Sequence, residues 1–352
     1  MTIFPLNRKR DNESKSRVKT CSIFIASILL LGALIPTTLT LFPGQLLNQV
    51  LADTVTGTDG DDKLDGTDGD DDIEGKGGDD KIDSKGGNDE NTGDKNEGDG
   101  DGGNDNIDSG DGNDVNRGDN EIGNGDGGDD VINSGAGADT NIGDNEVGDG
   151  DGGNDNIDSG DGDDRNYGDN QIGVGDGGDD VIKSGAGDDN NYGDNFFGVG
   201  NGGDDVINSA DGNDLNIGDN VNGVGDGGND NIHSGDGNDL NIGDNNNANG
   251  NGGNDVINSG AGDDFNVGDN RFGSGDGGDD VIKSGKGNDV NFGDNFEGTG
   301  SGGDDKINAA QGDDQLTGGG GADKFKCGSG VDTVTDFNEA EGDKASGNCE
   351  IP

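Results

Sequence analysis

Isoleucine stands at positions 82, 107, 132, 157, 182, 207, 232, 257, 282 and 307, ten times at an unbroken spacing of 25, each time behind a Gly-Gly-[Asp/Asn]-Asp-x block. A period held that strictly describes a stack of near-identical supersecondary units, each resting on its neighbours, rather than one globular core with a single cleft. Composition points the same way. With 24% hydrophobic residues, 79 Gly and no Trp in 352 residues, apolar burial alone cannot build cores for a chain of this length. The formal charge is −57, and because the first 52 residues carry six Lys/Arg against Asp11 and Glu13, all of the excess acid falls in the remainder. So acidic a segment either stays expanded or neutralises itself with cations, and it repels nucleic acid and anionic membrane surfaces.

One unit, residues 150–174, shows the internal grammar. It reads Gly-Asp-Gly-Gly-Asn-Asp-Asn-Ile-Asp, then Ser-Gly-Asp-Gly-Asp-Asp-Arg-Asn-Tyr, then Gly-Asp-Asn-Gln-Ile-Gly-Val, a partition of 9 + 9 + 7. Each nonapeptide opens with a Gly-rich hexad ending in Asp and closes with three residues that include β-branched or aromatic side chains. Glycine lets the backbone turn tightly and approach an ion, and three residues are about the shortest useful strand. The pattern predicts turn, strand, turn, strand.

Towards both ends the seven-residue insert disappears and nonapeptides run in tandem: Gly-Thr-Asp-Gly-Asp-Asp-Lys-Leu-Asp (57–65), Gly-Thr-Asp-Gly-Asp-Asp-Asp-Ile-Glu (66–74), Gly-Lys-Gly-Gly-Asp-Asp-Lys-Ile-Asp (75–83) and Gly-Gly-Gly-Gly-Ala-Asp-Lys-Phe-Lys (318–326). These follow G-G-x-G-x-D-x-U-x. In them the chain resembles the repeats-in-toxin, or haemolysin-type, calcium-binding repeat family, from about residue 57 to 344; residues 331–344 also resemble the segment that closes the repeats in that family. The resemblance implies an all-β fold, a parallel β-roll or β-helix solenoid with calcium between the turns of successive coils. It also implies that the sixth residue of each nonapeptide is a ligand, helped by backbone carbonyls of the Gly-rich turns. In the first nonapeptide of the 25-residue unit these are Asp105, Asp130, Asp155, Asp180, Asp205, Asp230, Asp255, Asp280 and Asp305. In the second they are Asp114, Asp139, Asp164, Asp189, Asp214, Asp239, Asp264, Asp289 and Asp314. Asp62, Asp71, Asp80, Asp89, Asp323 and Asp332 hold the same register in the terminal repeats.

Physical chemistry reaches calcium independently. Coils stacked at about 4.8 Å set like carboxylates one above another, and a divalent hard cation between them turns that repulsion into attraction. Calcium takes six to eight oxygens in flexible geometry; zinc, copper or nickel would call for His or Cys, and His233 is the sole histidine. Other readings fit less well. Asp-x-Asp strings lack the Glu of an EF-hand loop, the G-x-G-x-x-G matches have no strand and helix around them, and the period is not that of collagen. No G-x-S-x-G or H-E-x-x-H motif is present, so an enzyme is not expected.

Two features depart from the simple nonapeptide. The eighth residue of the second nonapeptide is Asn116, Asn141, Asn166, Asn191, Asn216, Asn241, Asn266 or Asn291 where an apolar residue would stand, between flanking pairs such as Leu215/Ile217 and Phe265/Val267. Because strands alternate faces, either the flanking pair points inward and Asn outward, or Asn forms an interior amide ladder; the first is favoured here. The insert adds a third aspartate column, Asp119, Asp144, Asp169, Asp194, Asp219, Asp244, Asp269 and Asp294, which either binds further calcium or turns the chain through a third corner.

The expected organisation is therefore a secretory leader or N-terminal membrane anchor over 1–52, tandem nonapeptides over 53–92, a 25-residue-period solenoid over 93–299, terminal repeats and a cap over 300–344, and a tail over 345–352. The leader reading rests on Arg8, Lys9, Arg10, Lys15, Arg17 and Lys19 ahead of an apolar run, with Val50, Leu51 and Ala52 offering a cleavage site. It places the repeats outside the cell, secreted or surface-anchored, where Cys327 and Cys349 either form a disulfide or remain two free thiols in a frayed tail. The expected function is calcium binding coupled to folding, in a structural or adhesive role. The alternatives are a ligand- or ice-binding solenoid using an exposed Asn column and an accessory to a separately encoded secreted enzyme. Calcium ions are the expected partners, beside cell-surface, glycan or neighbouring-chain contacts; nucleic acid is not expected, and membrane only through an uncleaved N-terminal segment.

Overall fold

The computed structural model describes residues 52–352 apart from 95–96, 99, 120–121, 124, 145–146, 170–171, 195–196, 220–221, 223–224, 246–249, 274 and 298–299, all in the inserts; the expected leader or anchor lies outside the described residues but for Ala52. Every regular element described is a strand of two or three residues. Such short strands follow from the sequence, since a Gly-rich turn interrupts the chain after each triplet.

The strands assemble into three parallel sheets. A 14-stranded sheet begins at Thr54–Thr56 and Asp72–Glu74, takes the second-nonapeptide strands from Val115–Arg117 onward, and ends at Cys349–Glu350. A 13-stranded sheet begins at Lys63–Asp65 and Lys81–Asp83, takes the first-nonapeptide strands from Asn106–Asp108 onward, and ends at Lys344–Ser346. The inserts contribute a five-stranded sheet of Glu97–Gly98, Ile122–Gly123, Val147–Gly148, Ile172–Gly173 and Phe197–Gly198. Pairing is in register with the repeat. Ile132 sits opposite Ile107 and Ile157, whereas Leu64 pairs with Ile82 and Ile307 with Phe325, one 18-residue coil apart. The expected solenoid is therefore the fold, with 25-residue coils flanked by shorter ones.

The central residue of each 13-stranded-sheet strand points inward. Ile82, Ile107 and their successors to Ile307 are at most 1% exposed and form one apolar file. Each contributes about 1.5–3 kcal/mol by burial, small beside the backbone entropy of ordering a whole coil. Near the C-terminus the file widens to Ala309, Leu316, Phe325 and Val334, and the Cys327–Cys349 disulfide ties the last strand of the 14-stranded sheet to the turn after Lys324–Lys326 of the 13-stranded sheet.

The asparagine column corrects the favoured expectation. Asn91 and every 25th residue from Asn116 to Asn291 are fully buried, so this column lines the interior and offers no exposed surface to a ligand or to ice. Asn166 Nδ2 donates to Asn191 Oδ1 at 2.8 Å and to Ser159 Oγ at 3.0 Å, and Asn191 repeats both bonds to Asn216 and Ser184. The ladder satisfies the buried amides in a low-dielectric interior, where an unpaired one would cost about 1–3 kcal/mol. From Thr92 to Val267 the residue after each Asn of the column is buried as well, on the opposite face, and Phe292 is half-buried; Ile142, Tyr167, Tyr192, Ile217 and Ile242 form a second apolar cluster. The first of the two flanking residues is left partly exposed, as at Thr140 or Leu215.

Candidate metal centres

Each nonapeptide's sixth residue sits at the end of its Gly-rich turn, immediately before the strand, so in-register stacking places these aspartates in columns. Asp62, Asp80, Asp105, then every 25th residue to Asp305, and Asp323 lead into the 13-stranded sheet. Asp71, Asp89, Asp114, then every 25th residue to Asp314, and Asp332 lead into the 14-stranded sheet. The two columns occupy separate corners of the coil. In both, one carboxylate oxygen is fixed by the backbone of the coil before it: Asp105 N–H donates to Asp130 Oδ1 at 2.5 Å, Asp155 N–H to Asp180 Oδ1 at 2.7 Å, and Asp164 N–H to Asp189 Oδ1 at 2.9 Å. The other oxygen, Oδ2, is buried without a hydrogen-bond donor at Asp80, Asp89, Asp105, Asp114, Asp130, Asp139, Asp155, Asp164, Asp180 and Asp189, and the pattern continues to Asp314 and Asp332. Asp62, in the first full turn, is only half-buried.

Buried anions in such surroundings are poorly tolerated bare. Burial pushes Asp105 up to about 8 and Asp305 to about 9, with neighbouring carboxylates adding to the effect. Asp130, Asp155 and Asp180 rise well above the ordinary carboxylate range for the same two reasons, desolvation first. The second column is less enclosed, and burial raises Asp114 to about 7 and Asp164 and Asp189 to about 6. A group held this way at neutral pH takes up either a proton or a cation.

The insert column belongs to the same corner as the first. Asp119, Asp130 and Asp144 place one carboxylate oxygen each within 4.8 Å of one another, as do Asp144, Asp155 and Asp169, then Asp169, Asp180 and Asp194, then Asp194, Asp205 and Asp219. Asp94, Asp105 and Asp119 form the corresponding group at the start. Oxygens bound to one calcium ion at about 2.4 Å lie no farther than about 4.8 Å apart, so the spacing suits a single ion. Backbone oxygens crowd the same space. A Cβ on Gly118 would come within 1.8 Å of Asp130 Oδ2 and 2.0 Å of the Gly143 carbonyl oxygen, and one on Gly143 within 1.8 Å of Asp155 Oδ2 and 1.9 Å of the Gly168 carbonyl. The glycines at these positions are what lets carboxylate and carbonyl oxygens converge. The donor set is all oxygen, carboxylate plus carbonyl, which fits calcium.

Sequence reasoning left the insert column between a ligand role and a corner role, and it overlooked two members of these columns. Asp94 begins the insert column but is followed by Lys95 rather than Asn, which hid the Gly-Asp-Asn signature. Asp343 continues the first column, accepting from Asp323 N–H at 3.1 Å, but it follows by 20 residues rather than 18 and so lies out of phase. The phase break was the obstacle; the Gly-Asp-Lys of residues 342–344 was the signal available.

The family model of the RTX calcium-binding nonapeptide repeat, which spans four copies, matches the chain over residues 52–90, 224–240, 242–270, 274–296 and 299–334. No curated protein matches the chain.

Proposed function

Since this chain is built from RTX calcium-binding nonapeptide repeats, we propose that it is a secreted or cell-surface protein whose repeats order on calcium and serve a structural or adhesive role without catalysis. The observation that carries this reading is the file of buried Oδ2 atoms without donors, from Asp80 to Asp332, set among turn carbonyls. The ligands in this proposal are the sixth-position aspartates of both columns, from Asp62 to Asp332. Residues 53–92 and 300–344 act as calcium-binding ends, 93–299 as the long-period solenoid and 345–352 as a tail. Metal binding then supplies folding free energy that the single Ile file does not. A chain emptied of calcium is expanded by its own charge, which suits export before folding into a calcium-rich exterior. The adhesive half of the proposal draws on the insert sheet, where Ile122, Val147, Ile172 and Phe197 stand exposed side by side.

The test is calcium titration of the full chain after chelation, followed by far-ultraviolet circular dichroism and calorimetry. The expected result is cooperative gain of β signal with saturable heat. Unchanged spectra together with no binding heat would overturn the reading. Replacing Asp155 and Asp180 together with Asn lowers the number of ions bound; an unaltered number would remove these aspartates from the ligand set.

A further inference from the structure

The insert aspartates have a geometry of their own. Asp119 Oδ2 accepts from Gly128 N–H at 2.9 Å, Asp144 Oδ2 from Gly153 N–H at 3.0 Å and Asp169 Oδ2 from Gly178 N–H at 2.9 Å. One oxygen is thereby anchored to the next coil's first nonapeptide, while Oδ1 of each is buried with no hydrogen-bond donor. All three residues are 0% exposed, and on Asp130, Asp155 and Asp180, which share triads with them and are at most 2% exposed, Oδ2 also lacks a donor. Consecutive triads share a member: Asp144 closes one group and opens the next, and Asp169 and Asp194 do the same.

We propose that the seven-residue insert creates a second, continuous file of calcium sites along the central coils, in which each insert carboxylate bridges two successive ions and the first-column aspartate completes each site. This rests on the calcium reading above and assigns the insert a role that a plain nonapeptide coil does not have. Charge fixes the ion. Each added coil brings one insert carboxylate and one first-column carboxylate into the file, so one divalent ion per coil leaves it neutral, whereas a monovalent ion leaves a buried negative charge at every rung. Bridging by a shared carboxylate at roughly the 4.8 Å rung spacing suits calcium's variable coordination better than magnesium's small rigid octahedron. The glycines are part of the device. A Cβ on Gly127 would lie 1.8 Å from Asp144 Oδ1, and one on Gly177 would lie 1.7 Å from Asp194 Oδ1 and 2.6 Å from Asp169 Oδ2.

The chain carries its own reporter for this file. Its only two tyrosines, Tyr167 and Tyr192, are stacked with ring centroids 5.0 Å apart and stand two residues before Asp169 and Asp194, and there is no Trp. Terbium bound there is excited through tyrosine. In the full chain, Asp169→Asn together with Asp194→Asn removes ligands from three of the triads, so native mass spectrometry should count three fewer calcium ions and most tyrosine-sensitised terbium emission should vanish, with the calcium-induced β signal kept. Full ion count and undiminished emission in that variant would overturn the file while leaving calcium-driven folding intact. Absence of calcium binding by the unmodified chain would instead overturn the calcium reading itself. A measurement on the unmodified chain holds even if the variant does not fold: terbium lifetimes in light and heavy water should give fewer than about one coordinated water, as a fully enclosed site requires. A count of three or more waters would place the ion in an open turn and refute the proposal.

Discussion

The short coils at the two ends and the long coils between them share two sheets but fill the space between those sheets differently. Along the inner line of the 14-stranded sheet the sequence runs Ile73, then Asn91 and the asparagines to Asn291, then Leu316 and Val334. One residue further along each strand the order of polarity is reversed. Thr56 is exposed and Glu74 and Thr317 are half-buried at the ends, while Ile142, Tyr167, Tyr192, Ile217, Ile242 and Val267 are buried in the middle. Neighbouring residues of a strand face opposite ways, so a coil with an insert has two faces to cover instead of one. The central coils bury an apolar residue on the second face and give the interior to an amide ladder; the terminal coils, built without an insert, keep the apolar residue inside. The lesson is that the insert adds a second compartment to each coil rather than a longer loop.

The comparison predicts unequal dependence on metal, and calcium removal is the largest effect expected. Hydrogen exchange read by mass spectrometry during stepwise chelation should show protection lost across 93–299 while 306–350, with Leu316, Phe325, Val334 and the disulfide, retains some. Simultaneous loss in both regions would break the distinction. Next in size is a response to acid in the calcium-free chain. Burial holds Asp105 at about 8, Asp305 at about 9 and Asp169 at about 6 in the folded state, against an ordinary value of 3.8. Groups raised in this way stabilise the fold fully below the unfolded value, and that stability is lost as pH rises through 6 to 9. In chelator, β signal should therefore grow as pH falls from 8 to about 4. With calcium present the trend inverts, because protons compete for the same oxygens. A calcium-free chain insensitive to acid would mean that the carboxylates do not oppose folding.

Two truncations on the same sheet line sharpen the contrast further. Leu316→Ala should cost about 2–5 kcal/mol, the range for an enclosed aliphatic cavity. Asn191→Ala should cost about 1–3 kcal/mol, because it strands Asn216 Oδ1 and takes one acceptor from Asn166. Urea midpoints of the calcium-loaded protein compare them directly, and a larger loss at Asn191 would give the amide ladder the greater share. The smallest effect is a gain. Ala210 and Ala310 have φ of 69° and 57° at a corner where Gly160, Gly185, Gly235 and Gly260 stand in other coils. Ala210→Gly should raise stability by about 1 kcal/mol, visible as a higher urea midpoint; a lower midpoint would show that the Ala side chain packs usefully there.

Much of this was legible in the sequence because the period carries it. Ile157 and Asp155 keep the same phase as their counterparts in every coil, so strand centres, turn ends and aspartate registers could all be read by counting. The direction of Asn166 could not. Leu215 and Ile217 look alike around Asn216, yet only Ile217 is fully buried, and it packs into a cluster with Tyr192 and Ile242 from neighbouring coils that the local pattern does not announce. The partnership of Asp119 with Asp130 was hidden for a related reason: the residues are 11 apart in sequence, in an insert and in the nonapeptide that follows it, and share one corner only once the coils are stacked.

The aspartate columns also have an arrow. In both sixth-position columns, a backbone N–H of one coil is received by the carboxylate of the coil that follows, from Asp53 to Asp71 at the start through Asp314 to Asp332 and Asp323 to Asp343 at the finish. Cutting coils from the N-terminal side exposes acceptors, which water serves readily; cutting from the C-terminal side orphans donors deep in a turn. Deletion series begun at opposite ends should consequently diverge, the C-terminal one failing after fewer steps.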